Sequence, residues 1–357
     1  MIQKINMIDK KIGILNFHFS TNNYGAVIQA YALQQHLILI GYNVENIDLK
    51  PNTFWKTKIF NFCFSSPFEK FRKRYLKVTK KSFYESLTLN KTSTAKYTHF
   101  IVGSDQVWRP SYCDFPKDYF LSFATNEQKK IAYAASFGID HWEVQSSISE
   151  YQLLLQRFSA VSVRESTGVS LCKDVFNIEA KLVLDPTLLV DKIVFDRLIE
   201  SNKLDEDRIV YYKLDQDDDF IKSINYLELK LNLNSTNIYY KEVSFFGVVF
   251  KKFKKITHWL ASLKNAKLIV TDSFHCICFA IIFNKNFIYY LNKKNRGLTR
   301  VQSLFTLLNI KDKIVIDFQD LSKNEKLFLK LPDYESVNSI IKEQKKISSE
   351  FLIKAIN

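Results

Sequence analysis

Short apolar runs closed by small polar residues recur along the chain, with longer amphipathic stretches between them. Residues 12–17 (IGILNF) open the pattern and read as a strand buried on both faces. A polar loop, HFSTNNY, leads to Gly25, after which Ala26, Ala30, Leu33, Leu37 and Ile40 recur at steps of four and three. That spacing predicts a helix with one apolar face, and Gly41 follows as its C-terminal cap. Residues 44–49 (VENIDL) alternate as the next strand, so a βαβ unit and a parallel sheet begin at once. The runs 100–102 (FIV), 131–136 (IAYAAS) and 160–163 (AVSV) follow, closed by Gly103-Ser104-Asp105-Gln106, Phe137-Gly138 and Arg164-Glu165. Residues 182–184 lead into Asp185-Pro186-Thr187. Polar groups just past each strand predict one doubly wound domain over residues 11–190, with its site along a single edge.

A polar segment, 191–207, precedes a second series of strands at 208–212, 236–240, 268–271, 287–291 and 314–316. Helices are expected at 258–266 and 301–308, and residues 334–356 read as one amphipathic helix. The fold class is therefore α/β, two Rossmann-like domains facing across a cleft in a GT-B-like architecture. Its parts are 1–190 with an insertion at 50–96, then 191–330, then a C-terminal helix at 331–357. Residues 266–283 (AKLIVTDSFHCICFAIIF) carry the sharpest local signal: a buried strand, a polar turn, then a helix. A helix N-terminus at a strand's carboxyl end favours an anion, and His275 sits in that first turn.

Composition narrows the classes. Hydrophobic residues make up 46% and aromatic residues 15% of the 357, enough for a large core and against disorder. No long uncharged apolar run exists and MIQKINMIDKKIGIL lacks an apolar signal core, so neither a transmembrane helix nor a secretory signal is expected. The five cysteines are scattered, with Cys276 and Cys278 one residue apart, which is poor metal or redox spacing; reduced thiols and a cytoplasmic location are expected. Only 8 residues are glycine, so each glycine is expected where the backbone needs it. Net charge is +14, which points to an anionic partner. Residues 50–81 hold ten Lys or Arg against one acid, interleaved with Phe54, Trp55, Phe60, Phe62, Phe64, Phe68, Phe71 and Tyr75. This segment reads either as a helix on an anionic membrane surface or as a basic insertion packed on the domain with snorkelling lysines. No nucleic-acid-binding motif accompanies it, so nucleic acid is not expected. The acidic run 215–219 (DQDDD) reads as a solvated loop rather than metal ligands, and Trp108 as packing.

Seven stretches together resemble the polysaccharide pyruvyl transferase family: 22–37 (NNYGAVIQAYALQQHL), 100–110 (FIVGSDQVWRP), 131–138 (IAYAASFG), 162–166 (SVRES), 182–189 (LVLDPTLL), 264–275 (KNAKLIVTDSFH) and 292–304 (NKKNRGLTRVQSL). They stand in the family's order and span most of residues 11–310. The resemblance implies a GT-B-like fold, no obligatory metal and no cofactor. It also implies transfer of the enolpyruvyl unit of phosphoenolpyruvate to a sugar, forming a pyruvate ketal. It places the general acid on His275 and a donor-binding arginine on Arg164. Some relatives carry a second arginine where this chain has Ser273, beside Phe274; Lys294, Arg296 or Arg300 is then expected to complete the donor site. Asp105 would accept the hydroxyl proton. Asn23, Tyr24, Gln29, Ser104 and Gln106 would bind the acceptor, with residues 1–190 as acceptor side and 191–330 as donor side.

Arginine suits such a donor because its planar fork matches phosphate and carboxylate. The same residues also carry plainer readings, Arg164-Glu165 as an ion pair and Asp105 as a helix cap, while His18 reads as structural or, at its strand end, as an acceptor-site candidate. The expected partners are phosphoenolpyruvate, a lipid-diphosphate-linked sugar in capsule or exopolysaccharide assembly, and an anionic membrane surface on the cell's inner face. Two competitors remain. One is a GT-B glycosyltransferase using a nucleotide sugar, against which stands the lack of a glycine-rich diphosphate loop. The other is a non-catalytic basic protein binding membrane or glycan, which leaves the polar strand ends unexplained.

Overall fold

The computed structural model describes residues 8–51, 66–83, 89–199, 207–245, 248–292 and 297–357. It divides into two compact units, residues 1–190 with 343–357, and residues 191–342. The C-terminal helix Tyr334–Ile356 thus begins in the second unit and ends in the first. Its last turns are tied there by Leu352 and Ile356, buried with Ile12 and Val44, and by His99 Nε2 on the Ile356 carbonyl at 2.9 Å.

The first unit is a six-stranded parallel sheet, ordered β2-β1-β3-β4-β5-β6. Its strands are β1 (Ile8–Leu15), β2 (Tyr42–Asn46), β3 (His99–Val102), β4 (Lys129–Ala135), β5 (Ala160–Val163) and β6 (Lys181–Leu182). The helix Tyr24–Leu39 buries the predicted stripe of Ala26, Ala30, Leu33 and Leu37, and Gly41 follows it at φ +96°. Its outer side is covered too: Tyr24 and Tyr31 pack on Phe68 and Phe71 at ring distances of 4.8 and 5.7 Å. Those rings belong to the helix Pro67–Tyr75, capped by Ser66, which buries Phe68 and Phe71 while leaving Lys73 and Arg74 in solvent. This part of the basic insertion is packed on its domain. Phe54, Trp55, Phe60, Phe62 and Phe64 lie outside the described residues.

The second unit repeats the winding. Its parallel sheet is ordered β13-β12-β11-β7-β8. The strands are β7 (Ile209–Tyr212), β8 (Ser235–Asn237), β11 (Leu268–Thr271), β12 (Asn286–Tyr290) and β13 (Ile314–Val315), and an antiparallel pair stands apart as β9 (Tyr240–Phe245) and β10 (Val248–Phe253). The strand expected at 236–240 therefore breaks in two, because Asn237 bonds Tyr239 N at 2.8 Å and turns the chain. The segment 191–207 is more than a tether: Ile193–Asp196 is helical, and Phe195 packs on Phe279 at 4.8 Å.

Buried and half-buried histidines set an acid limit on stability. Burial lowers the pKa of His18, His99 and His258, and takes His36 to about 4. The unfolded chain therefore protonates these groups first as pH falls below about 6.5, so their stability contribution is lost from there downward. Asp118, pushed up by burial to about 7, acts in the opposite sense. Four imidazoles against one carboxyl predict a melting temperature that drops between pH 7 and pH 5. A flat or rising profile by calorimetry would contradict this.

Candidate active site

In a doubly wound sheet ligands bind beyond the carboxyl ends of the strands, where the winding reverses. In the second unit that point lies between β7 and β11. Lys213 follows β7 and Asp272 follows β11, and the two meet there: Nζ lies 3.1 Å from Asp272 Oδ2, both side chains buried. Leu214 N donates to Asp272 Oδ1 at 3.1 Å, and Lys213 Nζ reaches the Leu291 carbonyl past β12 at 3.5 Å. One ion pair thus ties three strand ends together.

The turn 271–273 is rigid for local reasons. Thr271 Oγ1 donates to the Tyr212 carbonyl at 2.6 Å and accepts from Ser273 N at 3.0 Å. Ser273 is the N-cap of the helix Phe274–Ile282, its hydroxyl accepting from Cys276 N at 3.5 Å. His275, 5% exposed, is the second residue of that helix, its ring 5.4 Å from Phe274. Arg300, in the first turn of Leu298–Leu308, brings its guanidinium to 5.8 Å from the Phe274 ring. Gly297 precedes it at φ +77°, where a Cβ would collide with Arg300 Nη2. The glycine thus lets the arginine lie back on its own loop. Lys294 and Arg296 lie outside the described residues. Tyr289, paired in register with Thr271, holds a buried hydroxyl with no hydrogen-bond partner among the described residues. Burial, reinforced by Asp272, keeps that phenol protonated. Burial also pushes the Cys276 thiol well up, so it is no nucleophile. The helix start thus carries His275 and its own amides, and the Arg300 guanidinium lies against the neighbouring Phe274 ring, groups of a kind that can receive an anion.

The first unit reverses its winding between β1 and β3. Gly103 ends β3 where a Cβ would come within 2.8 Å of Leu33, so glycine lets the helix Tyr24–Leu39 lie close. Asp105 holds φ +79°, a left-handed conformation that side chains other than Asn and Asp seldom take. The edge beyond it is a closed ion cluster. Arg164 Nη1 lies 2.7 Å from Asp185 Oδ2 and 3.0 Å from Ser104 Oγ; Nη2 lies 3.3 Å from Asp105 Oδ1 and Nε 3.8 Å from Glu165 Oε2. Burial works against the guanidinium's charge, but Asp185, Asp105 and Glu165 outweigh it and raise its pKa. The Arg164 side chain, expected to bind the donor, is 0% exposed and stands against three carboxylates in this structure. Asp105, expected as base, has a 6% exposed carboxylate that accepts from Arg164 and from Gln106 N at 2.9 Å.

The expected acceptor residues divide. Asn23 is exposed and caps the helix, accepting from Ala26 N at 3.2 Å. Tyr24 is buried against Phe68, Gln29 bonds back to the Ala26 carbonyl, Ser104 donates to Asp185, and Gln106 lies over Gly138. These four pack the edge from within. His18, read from the sequence as structural or an acceptor-site candidate, stands at the end of β1 with Nε2 3.3 Å from Asp48 Oδ1 and Nδ1 buried without a hydrogen-bond partner among the described residues. Lys213 and Tyr289 left no signal in the sequence; each sits at the end of an apolar strand and reads there as an ordinary boundary residue. Trp108 is core, stacked on Phe120. No group of three metal-ligating side chains occurs among the described residues, and in the acidic run Asp217 caps the helix Asp218–Leu231.

Solved structures share this fold. The S. aureus MnaA–UDP co-structure matches with a TM-score of 0.55 at 11% identity, over 95% of this chain and 97% of that one. A UDP-N-acetylglucosamine 2-epimerase from Rickettsia bellii matches with a TM-score of 0.55 at 9% identity, over 97% and 95%. The UDP-GlcNAc 2-epimerase of Methanocaldococcus jannaschii matches with a TM-score of 0.52 at 12% identity, over 93% and 99%. At such identities the likeness carries the fold alone, α/β with parallel sheets and GT-B-like. No curated protein matches the chain by sequence. The family model of polysaccharide pyruvyl transferases matches residues 23–294, a span that holds the second sheet's reversal and the turn of His275. By that match the chain belongs to the polysaccharide pyruvyl transferase family.

Proposed function

We propose that this pyruvyl transferase takes the enolpyruvyl unit from phosphoenolpyruvate and builds a pyruvate ketal on a sugar of a lipid-linked capsular or exopolysaccharide intermediate. The observation that carries the reading is His275 in the first turn of a Ser273-capped helix, with Arg300 against the neighbouring Phe274. Phosphoenolpyruvate brings a phosphate and a carboxylate, which helix amides and a guanidinium suit. Lys294 and Arg296 complete this donor side in the proposal.

His275 donates a proton to C3 of the enol, leaving C2 electron-poor and open to attack by one sugar hydroxyl. The C2–O bond to phosphate then breaks, and the second hydroxyl closes the ketal. Of the two hydroxyl protons, one returns to His275 and the other leaves with phosphate, so the acid is regenerated. Lys213 and Asp272 position the turn. In the first unit, Asn23 and the loop after β1 are assigned to the acceptor, while Arg164 and Asp105 hold the edge in shape.

The test is phosphate release from phosphoenolpyruvate in the presence of a panel of lipid-linked glycans. Acceptor-dependent release supports the reading. Consumption of a UDP-sugar in its place would transfer the chain to nucleotide-sugar chemistry, and no turnover of either donor would leave a binding protein.

A further inference from the structure

We propose that His18 is the base that takes the proton of the attacking acceptor hydroxyl, with Asp48 as the residue that positions it. The inference rests on the pyruvyl-transfer reading for its reaction and adds to it the group that activates the acceptor in the first unit.

His18 lies in the loop between β1 and the helix Tyr24–Leu39, just past the carboxyl end of a strand that borders the winding reversal. Backbone and ring are both held. Its amide donates to Asn16 Oδ1 at 3.1 Å, and Asn16 Nδ2 donates in turn to Asn46 Oδ1 at 3.1 Å, at the end of β2. Its carbonyl accepts from Nη1 of Arg72 at 3.3 Å, a buried arginine of the helix Pro67–Tyr75. Its ring sets Nε2 3.3 Å from Asp48 Oδ1. Asp48 is fixed as firmly: Lys50 Nζ lies 2.7 Å from Oδ2, the Ser82 hydroxyl donates to the same oxygen, and the Asp48 amide donates to Thr79 Oγ1 at 3.0 Å.

A carboxylate only accepts hydrogen bonds, so a neutral imidazole beside one carries its hydrogen on Nε2 and keeps Nδ1 as a bare lone pair. That Nδ1 is buried and finds no donor among the described residues. The surroundings favour the neutral state: burial lowers the His18 pKa and Arg72 adds to this, against Asp48, which raises it. Burial also works against the Asp48 charge, but His18, Lys50 and Ser82 outweigh it and hold the carboxyl well below the usual carboxylate range. A fixed anion thus holds the imidazole in the tautomer that a base needs and stabilises the imidazolium it becomes. Leaving a buried acceptor unpaired costs free energy that packing alone does not return. Gln29 Oε1, in the second turn of the following helix, is another buried acceptor without a donor among the described residues. Such atoms call for donors, which the hydroxyls of a sugar supply and an anion does not. The dyad is close to the surface: the Asp48 side chain is 11% and that of Lys50 16% exposed, and Phe19, Ser20 and Thr21 of the same loop are half-buried.

In the reaction, the oxygen of the acceptor hydroxyl bonds C2 of the enolpyruvyl unit while its O–H bond breaks and the proton passes to Nδ1. The imidazolium stays beside Asp48 until phosphate departs and then gives the proton up, the one already counted as leaving with phosphate. Burial keeps that charged state short-lived, so the base is neutral again for the next turnover.

The test joins nitrogen NMR to kinetics on the full chain. At pH 7 His18 is expected as the neutral imidazole protonated on Nε2; a hydrogen on Nδ1, or an imidazolium, would overturn the proposal before any substrate is added. His18→Ala is expected to slow acceptor-dependent phosphate release about 10²–10⁴-fold, with the KM for phosphoenolpyruvate unchanged. Free imidazole should restore part of that rate in proportion to its unprotonated fraction, a dependence that refilling a cavity does not produce. His18→Gln, checked by thermal melting, supplies a second variant should the first fail to fold. Asp48→Asn is expected to lower kcat and to move the acid limb of the pH profile to lower pH, because Asp48 raises the imidazole's pKa. Near-normal turnover of folded His18→Gln, pH-independent rescue, or an unmoved acid limb overturns the base and leaves the pyruvyl-transfer reading standing. No phosphate release by the unaltered chain with any acceptor overturns that reading and the base with it, so the two failures are told apart.

Discussion

His275→Ala is expected to abolish measurable ketal formation while the chain keeps its fold. Loss of a positioned proton donor typically costs about 10²–10⁴-fold in rate. The imidazole is buried at a helix start already secured by Ser273 and by Thr271 on the Tyr212 carbonyl, so those bonds survive its removal. His275→Gln, closer in volume, should be equally inactive, which separates lost chemistry from a cavity. Phosphate release and thermal melting, measured on both variants, decide the matter. Near-normal turnover in either would remove His275 from the acid role.

Arg164→Met is expected to act on stability instead. It leaves Asp105, Asp185 and Glu165 buried without their shared cation, and breaking a buried pair on one side costs about 3–5 kcal/mol. The loss should appear as a lower urea midpoint in tryptophan fluorescence, because Trp108 and Trp142 lie in the core of the same unit. A donor-binding arginine would behave otherwise, raising KM for phosphoenolpyruvate with the midpoint unmoved. Arg164→Lys should recover little, since one ammonium cannot reach Asp185, Ser104 and Asp105 from a single point.

The turn at 271–275 could be read in advance because its determinants are local. An apolar run of three, a polar turn and a helical repeat lie within eighteen residues, and β11 and the helix Phe274–Ile282 fall where they were expected. The same holds for β5 and for the C-terminal helix. Arg164 shows the limit. Its position past a strand was legible, but whether a guanidinium there meets a ligand or three carboxylates depends on Asp105 and Asp185, brought in from β3 and β6. The hairpin was hidden because its turn carries neither Asn-Gly nor Asp-Gly and its second strand is rich in lysine.

The sequence by itself determined the alternation of strand and helix, the two parallel sheets and the helix start that carries His275, since periodicity and capping act over a few residues. Tertiary structure alone decided which strands are neighbours. Strand order sets β7 beside β11 and so joins Lys213 to Asp272, 59 positions on, and it closes the carboxylates around Arg164. Pairing across a sheet is a balance of burial and charge among distant segments, and no local pattern records it.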